Sequence, residues 1–167
     1  MSATILAGCL DDVVWVRVEE RGTFQNSGGL KDYCRNMIHR GFRKFVVDLA
    51  NCQLMDSTFM GTLAGIALRL RELGQGELMV INANSRSQSL LENLGLDQIF
   101  EVKAVGDTSA PRLPLSGPTA TEADLSAPAE HEAVLSAHEA LVEADARNAV
   151  KFHDVLEFLK KQADSES

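Results

Sequence analysis

The chain has 167 residues, 45% of them hydrophobic, and a formal net charge of −8. That is enough apolar material for one domain with a core plus an appendage, and a globular fold is expected rather than disorder. The acidic balance argues against nucleic acid as the main partner, since phosphate contacts need clustered Lys and Arg. Ile5-Leu6-Ala7 reads as a short strand, followed by an Asp11-Asp12 turn and the β-branched strand Val13–Val18. A tight turn makes this opening pair antiparallel. Asn26-Ser27-Gly28-Gly29 reads as a loop, with Ser27 placed to cap the helix after it. Leu30, Tyr33, Cys34, Met37 and Ile38 then recur at helical spacing, and Gly41 ends that helix. The basic residues near its end (Arg35, His39, Arg40, Arg43 and Lys44) read as solvated charges favoured by the helix dipole.

Lys44–Leu49 is continuously apolar after its first residue up to Asp48, the pattern of a strand covered on both faces. The helix expected from Thr58 to Leu73 carries Phe59, Leu63, Ile66, Leu70 and Leu73 as one stripe. Gly61 and Gly65 lie one turn apart beside it. Gly costs about 1 kcal/mol against Ala inside a helix, so close packing or close approach by a partner is the expected compensation. Glu77–Ile81 is a third covered strand. Ser85 is placed to cap a helix reaching Leu94, with Gly95 behind it, and Ile99–Val102 reads as the closing strand. Alternating strands and helices predict an α/β fold with a mixed, mostly parallel sheet and crossover helices.

Composition shifts after residue 104. Residues 105–129 contain all four prolines, Pro111, Pro114, Pro118 and Pro128, with many Ser, Thr and Ala. From Glu130 the pattern is helical again: Val134, His138, Leu141 and Asp145 share a face, and Phe152, Val155, Leu156 and Leu159 form a second stripe, with Asn148 placed as a cap. The expected organisation is a domain over 1–104, a Pro/Ser/Thr/Ala-rich linker over 105–129 and an amphipathic helical extension over 130–162. Its stripe must be covered by its own domain, by a second copy in a homo-oligomer, or by a partner. No run approaches the roughly 20 apolar residues that span a bilayer, and Met1–Leu10 lacks a basic start, so no membrane is expected and the cytoplasm is the expected compartment. Cys9, Cys34 and Cys52 form no CxxC and read as reduced thiols, the last two as small core residues.

The most informative stretch is Met55-Asp56-Ser57-Thr58-Phe59-Met60-Gly61, between a strand and a helix. One reading is an ordinary Asp-Ser cap. The other is a phosphorylation switch at Ser57, because the first N–H groups of a helix lack partners and carry partial positive charge. No HExxH or Cys/His spacing makes a metal site of His39, His131, His138 and His153, and no GxSxG elbow or Walker loop is present. Asp48 as an aspartyl switch lacks its acidic pair, because Asp11 and Asp12 precede their strand rather than follow it.

Met55-Asp56-Ser57-Thr58, together with the lead-in Arg43–Leu54 and the run Asn84–Phe100, resembles the STAS domain of bacterial anti-sigma factor antagonists over about residues 10–103. The resemblance implies that Ser57 is the phosphoacceptor, with Thr58 the alternative. It implies a partner face of Asp56, Ser57, Thr58, Met60 and Gly61 with Gln25 and Asn26. The implied partners are an anti-sigma factor that is also a serine kinase and a metal-dependent serine phosphatase. No catalytic residue, metal or cofactor is implied. Two positions depart from the family pattern. Phe59 stands where Gly is usual and puts bulk where a kinase must approach; Gln25 stands where an acidic residue is usual. The alternative is a STAS scaffold for assembly that is not phosphorylated. The switch reading expects Ser57 to be exposed.

Overall fold

The computed structural model describes residues 5–111 and 127–165. In chain order its elements are β1 (Ile5–Leu10), β2 (Val13–Val18), β3 (Glu20–Gly22), α1 (Phe24–His39), β4 (Lys44–Asp48), β5 (Cys52–Met55), α2 (Ser57–Glu72), β6 (Glu77–Ala83), α3 (Ser85–Asn93), a 3-10 turn (Leu96–Gln98), β7 (Glu101–Ala104), α4 (His131–Ala144), α5 (Asn148–Lys151) and α6 (His153–Ser165). Five strands form the main sheet in the order β1-β2-β4-β6-β7. The first pair is antiparallel, closed by the two-residue turn Asp11-Asp12 with Asp11 at φ 57°, which a short polar side chain tolerates. The remaining pairs are parallel. The expected mixed, mostly parallel α/β sheet is therefore the observed one.

Strand alternation divides the side chains. Val14, Val16, Val18, Phe45, Val47, Leu78 and Val80 join the core with Leu30, Phe59, Leu63 and Leu70 from the helices. Trp15, Arg17, Val46, Asp48 and Ile81 alternate with these strand residues, point to the other face and are buried there. Arg17 Nε meets Asp48 Oδ2 at 3.3 Å, while Asp48 Oδ1 accepts from Ala50 N–H and Asn82 Nδ2, each at 2.9 Å. Asp48 is thus a structural hub at the end of β4.

Several elements depart from expectation. Residues 26–29 are not a loop but part of α1, which begins at Phe24. Thr23 is the cap: Gln25 N–H donates to its Oγ1 at 3.2 Å, and Thr23 N–H donates to Asn26 Oδ1 at 3.0 Å. Ser27 instead turns its hydroxyl back to Thr23 O at 2.6 Å. Gly28 serves contact rather than bending, since a Cβ there would lie 2.3 Å from Pro128 O, where the chain returns over α1. A second, two-stranded parallel sheet of β3 and β5 was not expected; it aligns Gly22 with Met55 at the entry to α2. Asn84 rather than Ser85 caps α3, accepting from Ser87 N–H at 2.8 Å, and the closing strand begins at Glu101 rather than Ile99.

The helical extension packs on its own domain. Helix α4 lies along α2, and α6 packs on α4, where His131 Nε2 sits 2.8 Å from Leu159 O. Residues 112–126 of the expected linker lie outside the described residues.

Candidate functional site: Ser57 beneath helix α4

Asp56 is the N-cap of α2 and fastens two helix starts. Its Oδ1 accepts from Phe59 N–H at 2.8 Å and its Oδ2 from Phe24 N–H at 2.9 Å. Its own N–H donates to Gly22 O at 3.0 Å. Ser57 is therefore the first helical residue and not the cap, so the two sequence readings concern different side chains. Thr58, Met60 and Gly61 are buried, Asn26 is closed inside the cap of α1, and Gln25 is exposed. Phe59 turns inward, fully buried, with its ring below Gly22, where a Cβ would lie 2.6 Å from Cδ1. The expected bulk at the approach to Ser57 is absent: the Phe59 ring fills the core and Gly22 makes room for it.

Ser57 is half-buried rather than freely exposed, and the cover is α4. Ser57 Oγ lies 2.9 Å from His138 Nε2. His138 Nδ1 lies 2.8 Å from Val134 O, a group that only accepts. In a neutral imidazole Nδ1 then carries the proton, Nε2 is the acceptor, and the Ser57 hydroxyl donates. Phe152 packs edge-on to the imidazole at 5.3 Å between centroids. One turn along, the small strip on α2 receives α4 directly: a Cβ on Gly61 would sit 2.3 Å from Ala137 O, and one on Gly65 3.8 Å from Ala140 Cβ. Gly61 permits the expected close approach, toward the chain's own extension, whereas a Cβ at Gly65 would make only ordinary contact.

A second anchor holds the extension at the far end. Asn148 is fully buried; it does not cap α5 but donates from Nδ2 to Leu94 O at 2.9 Å and to Leu141 O at 2.7 Å. Asp145 lies over Gly95, where a Cβ would meet Oδ2 at 2.3 Å, and Lys151 Nζ reaches Asn93 O. The Arg147 guanidinium beside Asp145 holds its carboxyl down at about 2.

A serine donating to a histidine at a helix start has the parts of a nucleophile–base pair. Here the orienting group is a backbone carbonyl, and neither described cavity is lined by Ser57 or His138. The arrangement acts as a latch between α2 and α4. Its histidine was visible in sequence as a polar residue between Val134 and Leu141 on an apolar face and as one of four histidines without metal-ligand spacing.

A model of the STAS domain matches residues 5–109. The chain belongs to the STAS domain family. The matched span ends before α4, so the helices that cover Ser57 lie outside the shared domain. Among solved structures, the chain is similar to the protein TM1081 as determined by NMR (20% identity, TM-score 0.54, 59% of this chain and 79% of the other). It is similar in the same degree to the crystal structure of a candidate anti-sigma factor antagonist, tm1081, from Thermotoga maritima (20% identity, TM-score 0.54, 58% and 83%). At this identity the likeness concerns the fold.

Proposed function

We propose that this STAS protein is an anti-sigma factor antagonist-like regulator: it binds an anti-sigma factor with serine-kinase activity, is switched off by phosphorylation of Ser57 and is restored by a metal-dependent serine phosphatase, all in the cytoplasm. The partner face is Asp56, Ser57, Thr58, Met60 and Gly61 with Gln25 and Asn26; because α4 covers Ser57 and Gly61, the partner takes the place of α4 when it binds, and a phosphate on Ser57 repels both occupants. The observation that carries this reading is the placement of the Ser57 hydroxyl, at the first position of α2 and 2.9 Å from the helix that covers it. A phosphoryl group adds about −1.5 to −2 charge and three acceptor oxygens. The 2.9 Å gap to His138 leaves no room for it, and Asp56 already occupies Phe59 N–H and places a carboxylate next door. Modification therefore changes which surface is offered at α2. Thr58 is the poorer acceptor, being 6% exposed with Thr62 Oγ1 bonded to its carbonyl.

The cover over Ser57 also favours a second reading, a scaffold whose docked extension is permanent. Incubation with the cognate kinase and ATP, followed by mass analysis of wild type and Ser57→Ala, separates the two. The switch reading expects one phosphate on wild type, none on the variant, and loss of partner binding on modification. Unmodified Ser57 in a complex that forms and persists supports the scaffold.

A further inference from the structure

A second site lies beside the Ser57 latch. Faces of α1, α2 and α4 converge on a cavity of about 470 Å³, within the range of small-molecule sites. Its cations are Lys31 and Arg35 on one face of α1, Arg43 just beyond it, and Arg69 on α2, with the His39 imidazole beside them. Among the described residues no Asp or Glu lines it, although the chain has 24 acidic residues against 16 Lys and Arg. The local sign of charge is therefore inverted relative to the molecule. Arg69 shares its charge with Glu72 at 3.2 Å on the exposed side of α2. Arg43 is held by the carbonyls of Ile38 and Phe42 at 2.8 and 2.9 Å, which fix its guanidinium without cancelling it. Among the described residues no carboxylate pairs with Lys31 or Arg35.

The remaining wall is uncharged, with the hydroxyls of Thr62 and Ser136 among apolar and small residues. Ile38 and Ile66 give it hydrocarbon, while Gly65 and Ala133 leave the volume unfilled. We propose that this cavity binds a phosphate monoester with a short apolar body, the head among the cations and the body on the Ile38–Ile66 side, and that binding holds α4 on α2. A dianion suits several cationic groups better than a monoanion does. The coupling follows from construction. Ala133 and Ala137 of α4 form one wall, and Ala137 is the residue next to His138. The complete site exists only while α4 is docked, so a ligand that needs it favours the docked state in proportion to its occupancy. The consequence for Ser57 rests on the switch reading above; the site itself does not.

The test uses the full unmodified chain and needs no kinase. Hexyl phosphate is titrated by calorimetry, with inorganic phosphate and hexanol as the head and body alone, and α4 amide exchange is followed with and without ligand. Hexyl phosphate is expected to bind more tightly than either part and to slow exchange in α4. The double variant Lys31→Glu/Arg35→Glu is expected to weaken binding at least about tenfold. Gly65→Leu, which fills the cavity by side chain, is expected to do the same; each variant's fold is checked by circular dichroism. No binding up to roughly 10 mM overturns the site. So does equal binding of inorganic phosphate, or undiminished binding in a folded variant. Binding without slower α4 exchange overturns the coupling. Failure of any of these leaves phosphorylation of Ser57 untouched, and the reverse also holds.

Discussion

Gly61→Ala should release the helix over Ser57 while leaving the domain folded. The new Cβ would lie 2.3 Å from Ala137 O, 2.6 Å from its carbonyl carbon and 2.9 Å from its Cβ, whereas ordinary contact begins at 3.4 Å. The worst shortfall is thus 1.1 Å, against backbone, where no rotamer change relieves it. A retreat of α4 by that amount stretches the 2.9 Å Ser57–His138 bond to about 4 Å, beyond hydrogen-bonding distance. Overpacking of this kind costs about 1–3 kcal/mol, while α2 on its own gains about 1 kcal/mol from losing a helical glycine. The two effects fall on different parts of the molecule, so α4 undocks from a domain that is as stable as before. Hydrogen exchange read by mass spectrometry should show α4 amides exchanging about five- to a hundred-fold faster, with β4 and β6 protected as in wild type. Gly65→Ala is the control. Its Cβ meets only Ala140 Cβ at 3.8 Å, so α4 should stay protected and thermal stability should rise slightly. Unchanged α4 exchange in Gly61→Ala, or equal exchange in both variants, would refute the packing account.

Other consequences can be measured on the same protein. Asn148→Ala removes two donated bonds and leaves Leu94 O and Leu141 O without that donor; docking of the extension should weaken by about 1–3 kcal/mol, seen as an early transition in urea. Asp48→Ala strips Arg17 of its buried carboxylate and Asn82 of its acceptor, and should cost the domain about 3–5 kcal/mol in the same assay. Burial pushes the Cys34 thiol up from 9.0 to about 12 and the Tyr33 phenol from 10.0 to about 12. The unfolded chain therefore releases these protons first. Their contribution is fully present below about pH 9 and is lost as pH rises toward 12. Melting temperature should fall across that window, and Cys34→Ala should flatten the fall.

The main sheet was legible because β2, β4 and β6 are short, mostly apolar runs, and because Asp11-Asp12 marks a tight reversal. The start of α1 was not. Gly28 and Gly29 carry the composition of a loop, and only the returning chain at Ala127 and Pro128 shows that they are helical residues kept small for contact. β3 and β5 were invisible for a different reason: three and four residues give no periodicity to detect. At the site, the motif around Ser57 placed the hydroxyl at the head of α2, and the Gly61–Gly65 strip announced a close neighbour. Neither named it. An amphipathic stripe records that a face is covered without recording by what, and the expectation of an exposed Ser57 failed for that reason. Phe59 was misjudged likewise, because the space beneath Gly22 that receives its ring is a tertiary fact. The buried Asn148 read as a cap, since its carbonyl partners lie 54 and seven residues away.

The central claim is that a phosphate on Ser57 and a docked α4 exclude one another. Full-length chain carrying phosphoserine at position 57, installed during synthesis, can be compared with the unmodified chain by amide exchange across α4. Loss of protection throughout α4, with the sheet unaffected, is the predicted result. An α4 that stays equally protected above the phosphorylated residue would contradict the account.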